Sequence, residues 1–389
     1  MDVVERYLLL GLRLGRHVDG LVDSYYGPPE LAGQAETEAP ISPAALAADA
    51  DALLAEVEPA TWLHDQLRGV ATYAGIVAGE ALPYGEEVER CYGVRPERTP
   101  EATFQAALAK LDELFPGDGP LTERYELWRA SQVVPVDRIH DAATAVTAEL
   151  RDLTVGLFGL PDGEDVVLEP VTDEPWLAFN YYLGDLRSRI AINVDLPITG
   201  PELIGLLAHE TYPGHHAEHV WKEQLLVRDH GLLEESIILT PTPQAVVSEG
   251  IAESGAELAE DAAAATLAPV LARHGIECDL EAAREVRRAR DALDTVGLNA
   301  ALMIHEEGMA LDDATEYVAR WAAVGPERAA HTVRFVTAPN WRAYVVTYSA
   351  GLDLCRAFHG GDPARFRRLL TEQLRVQDLL DAAPVSSGP

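Results

Sequence analysis

The residues best suited to chemistry stand together at His209-Glu210-Thr211-Tyr212-Pro213-Gly214-His215-His216, inside a span (His209 to His230) that holds five of the twelve histidines. Neutral imidazoles bind a divalent metal, and a carboxylate beside the first of them can take a proton from water, which is the donor set of a catalytic zinc site. The spacing H-E-x-x-H is absent, because proline occupies position 213, where a ligand one turn on would stand. Pro213 has no N–H to offer and clashes with the carbonyl of His209, and Gly214 follows it, so a helix kinks or bulges here. In an unbroken helix His215 would lie about 240° round and about 9 Å further along from His209. Convergence on one metal therefore requires the break that Pro213-Gly214 supplies, with His215 or, one residue on, His216 as the second ligand.

Two imidazoles want a third protein ligand, commonly a Glu from a following helix. Glu249 is the candidate, 34 residues past His215 on a segment with helical periodicity, and Glu253 and Glu257 follow at one-turn intervals. Carboxylates stacked in this way repel unless something faces them, and a ligand (Glu249) backed by a hydrogen-bonding partner for a histidine (Glu253) is such a use. Tyr344 and Tyr348 share one helix face, so a phenol there could donate to a developing oxyanion. Arg342 or Arg334 could pair with a substrate carboxylate, although in so acidic a protein an internal ion pair is the commoner use. His305 is a candidate electrophile and Asn193 a candidate substrate contact.

The elements that must position these groups are mostly helices. Apolar residues recur at helical spacing over Val3–Tyr26, 43–57, 60–80, 101–115, 121–131 and 136–158. Between Val166 and Asp195 the pattern changes to strands, Val166–Leu168, Trp176–Leu183 and Arg189–Val194, which predicts a small antiparallel meander leading directly into a helix. That helix starts at the capping box Thr199-x-x-Glu202 and carries His209. Helical periodicity returns over Pro243–His274, Leu280–Glu306, Leu311–Ala323, Trp341–Phe358 and Arg365–Leu380. The expectation is a mainly α protein with a small antiparallel sheet beside the metal-binding helix. Its divisions are an N-terminal helical lobe (1–160), a catalytic lobe (161–380) and a disordered tail (381–389), or one continuous domain.

Of the 389 residues, 48% are apolar and 24% charged, the composition of a globular chain with ample core. A formal charge of −34 disfavours nucleic acid and anionic membrane surfaces as partners. The apolar run Tyr7–Leu12 is too short for a signal or a membrane span, so a cytoplasmic protein is expected. Cys91, Cys278 and Cys355 are far apart and form no C-x-x-C pair, which leaves His and carboxylate to hold any metal.

The chain resembles the DUF885 family of helical proteins, marked by H-E-x-x-P-G-H-H, then E-G-W-A, then Y-x-x-G. Here these stand at 209–216, at Glu249-Gly250-Ile251-Ala252 and at Tyr348-Ser349-Ala350-Gly351. His305-Glu306-Glu307-Gly308-Met309 resembles H-x-x-G-W, and Val22-Asp23-Ser24-Tyr25-Tyr26-Gly27-Pro28 is weakly family-like. The similarity covers roughly residues 165–360. It implies a gluzincin-like metallopeptidase fold in which the strand before the metal helix lines the substrate groove. Ile251 replaces the family's tryptophan, and Ser254 and Ala256 stand where aromatic and acidic residues are usual, which alters the local pocket.

The expected activity is hydrolysis of peptide or peptide-like amides. One Zn2+ per chain would be held by His209, His215 and Glu249, with Glu210 as general base and Tyr348 and His305 stabilising the oxyanion. Arg342, Tyr344 and Asn193 would contact substrate. Fe, Mn or Co suits the same donors. The same site acting on a specialised non-peptide metabolite, or a non-catalytic metal-binding protein, are the alternatives. A di-iron bundle is disfavoured because no paired Glu-x-x-His motifs occur.

Overall fold

The computed structural model describes residues 1–174 and 176–382; the tail expected over 381–389 lies, from 383 on, outside the described residues. The fold is mainly helical with small sheets, as the periodicity predicts. The expected first helix divides. Helix Val3–Gly15 stops where a Cβ on Gly15 would sit 2.8 Å from Val22 Cγ2, and the chain turns through Gly20 at φ +76°. It then enters strand β1, Val22–Tyr25, instead of continuing as helix. Pairing with a distant strand overrides the helical spacing of these apolar residues.

Strands β2 (Asp165–Val171), β3 (Ala178–Gly184) and β4 (Arg187–Asn193) form one sheet, and β5 (Ile237–Leu239) pairs antiparallel with β1. The three-stranded sheet departs from a simple meander. Its order is β2-β4-β3, with β3 antiparallel to β4 but β2 parallel to it. Strand β4 carries the buried run Ile190-Ala191-Ile192 and so takes the covered central place. As the central strand, β4 has both edges paired. The outer strand β3 lies beside β1, where Ser24 Oγ donates to the Tyr182 carbonyl at 3.2 Å, and its Asn180 Nδ2 donates to the Glu210 carbonyl at 2.7 Å.

After β4 the chain enters helix Gly200–Glu210, whose capping box closes as expected: Thr199 Oγ1 accepts from Glu202 N at 3.3 Å, and Glu202 Oε2 from Thr199 N at 3.0 Å. Helix His215–Lys222, the long helix Pro243–Arg273 and helix Val345–His359 complete the surroundings of the site. The largest core joins Tyr7, Leu67 and Tyr92 to Val246, Leu354 and Phe366, so apolar packing runs continuously across position 160. A second core seats helix Gly200–Glu210 between Ile190 and Ile192 of β4 and Ala256, Ala259 and Ala263 of the long helix. The helix that carries His209 is thereby held between the sheet and the long helix.

Candidate metal centre

The helix break falls where the sequence requires it. Helix Gly200–Glu210 ends, residues 211–214 turn, and a new helix begins at His215. Gly214 N donates to the Ala208 carbonyl at 3.0 Å, and a Cβ on Gly214 would lie 2.6 Å from that same oxygen, so the turn closes this tightly only with glycine. The turn is anchored from behind by the fully buried His216. Its Nδ1 meets Ser188 Oγ at 2.8 Å and its Nε2 meets Glu164 Oε2 at 2.9 Å. Arg151 Nε and the Tyr212 hydroxyl also donate to Glu164. With both ring nitrogens engaged, His216 is an anchor and not the second ligand.

The break brings the His209 and His215 rings to 4.7 Å between centroids. With Glu249 they form a group that could hold a metal ion, the donor atoms all lying within 4.8 Å of one another. His209 Nε2 is 3.6 Å from Glu249 Oε2, and His215 Nε2 is 4.0 Å from Glu249 Oε1. Glu249 Oε2 is buried without a hydrogen-bond partner among the described residues, a costly condition for a carboxylate oxygen unless a cation meets it. The opposite ring edges are held by protein. His209 Nδ1 is 3.4 Å from Glu253 Oε1, and His215 Nδ1 is 3.3 Å from Ser248 Oγ. Tyr344 donates its hydroxyl to Glu249 Oε1 at 2.6 Å.

The centre is strongly acidic. Burial opposes charge on His209, yet Glu253, Glu210 and Glu249 outweigh it and raise this imidazole to about 10. Desolvation lifts the Glu210 carboxyl above its usual range, and Glu249 and Glu253 lift it further against the pull of the two histidines. Asp23 on β1 reaches about 7, chiefly through burial, with His215 pulling down and Glu249 and Glu210 pushing up. Desolvation and the carboxylates of Glu249, Glu253, Glu210 and Asp23 hold the Tyr348 phenol well above its ordinary value. So much negative charge, removed from water, favours a bound cation. Opposite it, Glu218 is held far below the carboxylate range although burial resists this, because Lys222, His215 and His219 oppose it with positive charge.

Other predicted site residues lie elsewhere in the bonding network. Tyr348 stands one turn from Tyr344, 5.7 Å between ring centroids, and is 40% exposed. Arg342 is an internal ion-pair partner of Glu87, 3.2 Å from its Nε to Oε1, and its guanidinium is not free for substrate. His305 stacks on Tyr84, and its Nε2 contacts the Val336 carbonyl at 2.8 Å, which commits it to packing. Asn193 is buried and donates to the carbonyls of Glu174 and Trp176, closing the loop before β3 instead of facing a ligand. Arg334 is exposed on helix Pro326–Thr337.

Sequence reasoning missed Asp23, Asn180, Ser248, Glu218 and Lys222. The spacing of His215, Glu218 and Lys222 at i, i+3 and i+7, one helix face, was an available signal. Asp23 lay in the stretch 22–28, already singled out.

The fold and site define a mainly helical protein with a buried His-His-Glu group able to bind a metal ion. No family model and no curated protein matches the chain. A solved structure from Colwellia psychrerythraea, described as a "putative lipoprotein", superposes with a TM-score of 0.56 at 14% identity, covering 89% of this chain and 64% of that one. This chain thus spans under two thirds of that relative's length. A second, from Shewanella oneidensis and described as a "putative lipoprotein of unknown function", gives 0.50 at 12% identity, covering 98% and 73%. At these identities the likeness shows the fold alone. Among the described residues no helix is long and apolar enough to cross a membrane.

Proposed function

We propose that this protein is a metal-dependent hydrolase of peptide or peptide-like amide bonds. The observation that carries the reading is the convergence of His209, His215 and the unpartnered Glu249 oxygen beside Glu210. The donor set fits Zn2+ and also Fe, Mn or Co. When bound, such an ion supplies Lewis acidity and makes water a nucleophile near neutral pH.

The chain's own residues would divide the remaining work. Glu210, whose carboxyl burial raises above its usual range so that it holds a proton more readily, takes the proton from the attacking water and passes it to the leaving nitrogen. Tyr348, a phenol kept protonated by its surroundings and partly open to solvent, donates to the developing oxyanion. Tyr344 holds Glu249 in place. The cytoplasm is the compartment we assign, supported by three free cysteines, although the two structural neighbours are described as lipoproteins.

The deciding experiment measures metal content by elemental mass spectrometry together with turnover on a peptide library. About one ion per chain, lost in His209→Ala, His215→Ala and Glu249→Ala, with activity abolished but metal retained in Glu210→Gln, is the expected result. A chain that binds no metal after reconstitution overturns the reading. Turnover unchanged in Glu210→Gln removes Glu210 as the base, and metal binding with no turnover in wild type leaves a non-catalytic metal protein.

A further inference from the structure

Behind His215, on the side away from Glu249, lies a buried polar chain that the proposed chemistry does not use. Helix His215–Lys222 presents His215, Glu218 and Lys222 on one face, and Ser248 of the long helix meets them. Lys222 Nζ donates to Glu218 Oε1 at 2.6 Å, Ser248 Oγ donates to Glu218 Oε2 at 2.6 Å, and His215 Nδ1 lies 3.3 Å from Ser248 Oγ. Glu218, Lys222 and Ser248 are 1%, 5% and 6% exposed. A buried Lys–Glu pair is a poor stability device, since desolving both charges offsets their attraction. Its value here is direction.

Proton directions follow from the donors. Lys222 can only donate, and beside it Glu218 is an ionised acceptor. Glu218 therefore takes the Ser248 hydroxyl proton, which leaves Ser248 Oγ free to accept. The group facing that oxygen is His215 Nδ1, so the proton of the neutral imidazole sits on Nδ1 and the Nε2 lone pair points toward Glu249.

We propose that Ser248, Glu218 and Lys222 form a positioning relay that fixes the tautomer and ring orientation of His215 and thereby sets the affinity of the His209, His215 and Glu249 group for a divalent metal. The relay rests on the metal-centre reading for its consequence but not for its hydrogen bonds, which exist in the protein alone. None of its members touches substrate. His209 has only the half-exposed Glu253 in the equivalent place, so the two ligands are held to unequal degrees.

The test uses the full chain, Ser248→Ala and the conservative Ser248→Thr, with Zn2+ as the probe. Competition against a chromophoric chelator gives the affinity, and nitrogen-15 NMR of the metal-free imidazoles, followed to a pH alkaline enough to leave them neutral, gives the tautomer. Thermal unfolding confirms that each variant is folded. Wild type should show His215 protonated at Nδ1. Ser248→Ala should weaken Zn2+ binding about 10- to 100-fold and move His215 toward mixed tautomers, with Ser248→Thr restoring both. Equal Zn2+ affinity and an unchanged tautomer in Ser248→Ala overturn the relay while leaving the metal centre intact. A wild type that binds no Zn2+ overturns the metal reading, and the tautomer measurement then decides the relay by itself.

Discussion

Gly250 and Gly351 pack backbone against backbone where the long helix Pro243–Arg273 crosses helix Val345–His359. A Cβ on Gly351 would stand 2.9 Å from Gly250 N and 3.1 Å from Gly250 Cα, and one on Gly250 would run into the Gly351 backbone. The crossing sets the distance between Glu249, next to the first glycine, and the tyrosines that precede the second. This accounts physically for a glycine after Glu249 and another three residues after Tyr348. Gly351→Ala should force the helices apart, lowering stability by about 1 to 3 kcal/mol in urea unfolding. The same variant should weaken Zn2+ binding, because Tyr344 then withdraws from Glu249. Stability lost with metal affinity unchanged would show that the crossing supports the fold without tuning the centre.

Tyr344→Phe isolates that hydrogen bond. The Tyr344 hydroxyl donates to Glu249 Oε1 at 2.6 Å and so orients this carboxylate. Bonds to charged groups contribute about 1.5 to 3 kcal/mol, and loss of a partner behind a ligand weakens metal binding by about tenfold or more. A chelator competition that finds a tighter site instead would mean Tyr344 competes with the metal for Glu249.

What could be read in advance was local. The break at Pro213-Gly214, the cap at Thr199 and Glu202, and the pairing of His209 with His215 follow from sterics and spacing over a few residues. Glu249 was legible because its chemistry completes a ligand set. What could not be read is the partner of a group satisfied from far along the chain. Arg342 reaches Glu87 across 255 positions and His216 reaches Glu164 across 52, and nothing near either residue announces the partner. The parallel placement of β2 against β4 is of the same kind. Only the competition among strands for the covered central position decides it.

His216→Ala separates anchor from ligand. Removing this ring strips one partner from the buried Glu164, which keeps Arg151 and Tyr212, so unfolding stability should fall by about 1 to 3 kcal/mol. Metal content should stay at the wild-type level in the folded variant. His215→Ala should do the reverse, losing the ion with little loss of stability. A His216→Ala protein that folds yet holds no metal would reinstate His216 as the ligand.

Glu235 makes a pH prediction away from the metal ligands. Burial raises this carboxyl to about 7, with Lys222 and Gln373 partly opposing the shift. Its Oε2 accepts from Gln244 Nε2 at 3.3 Å, while the Gln244 Oε1 has no partner among the described residues. The folded carboxyl holds its proton more tightly than the unfolded chain, where the value is about 4.3. Its contribution to stability is therefore complete below about pH 4.3 and is lost as pH rises through 7. The full difference is on the order of 3 kcal/mol. Glu235→Gln stays neutral and can donate to the unpaired Gln244 oxygen, so it escapes this loss. Urea unfolding at pH 5 and pH 8 should show the variant gaining on wild type by most of that amount at the higher pH. Parallel curves for the two proteins would mean that Glu235 is already ionised in the fold, with Lys222 as its counter-charge.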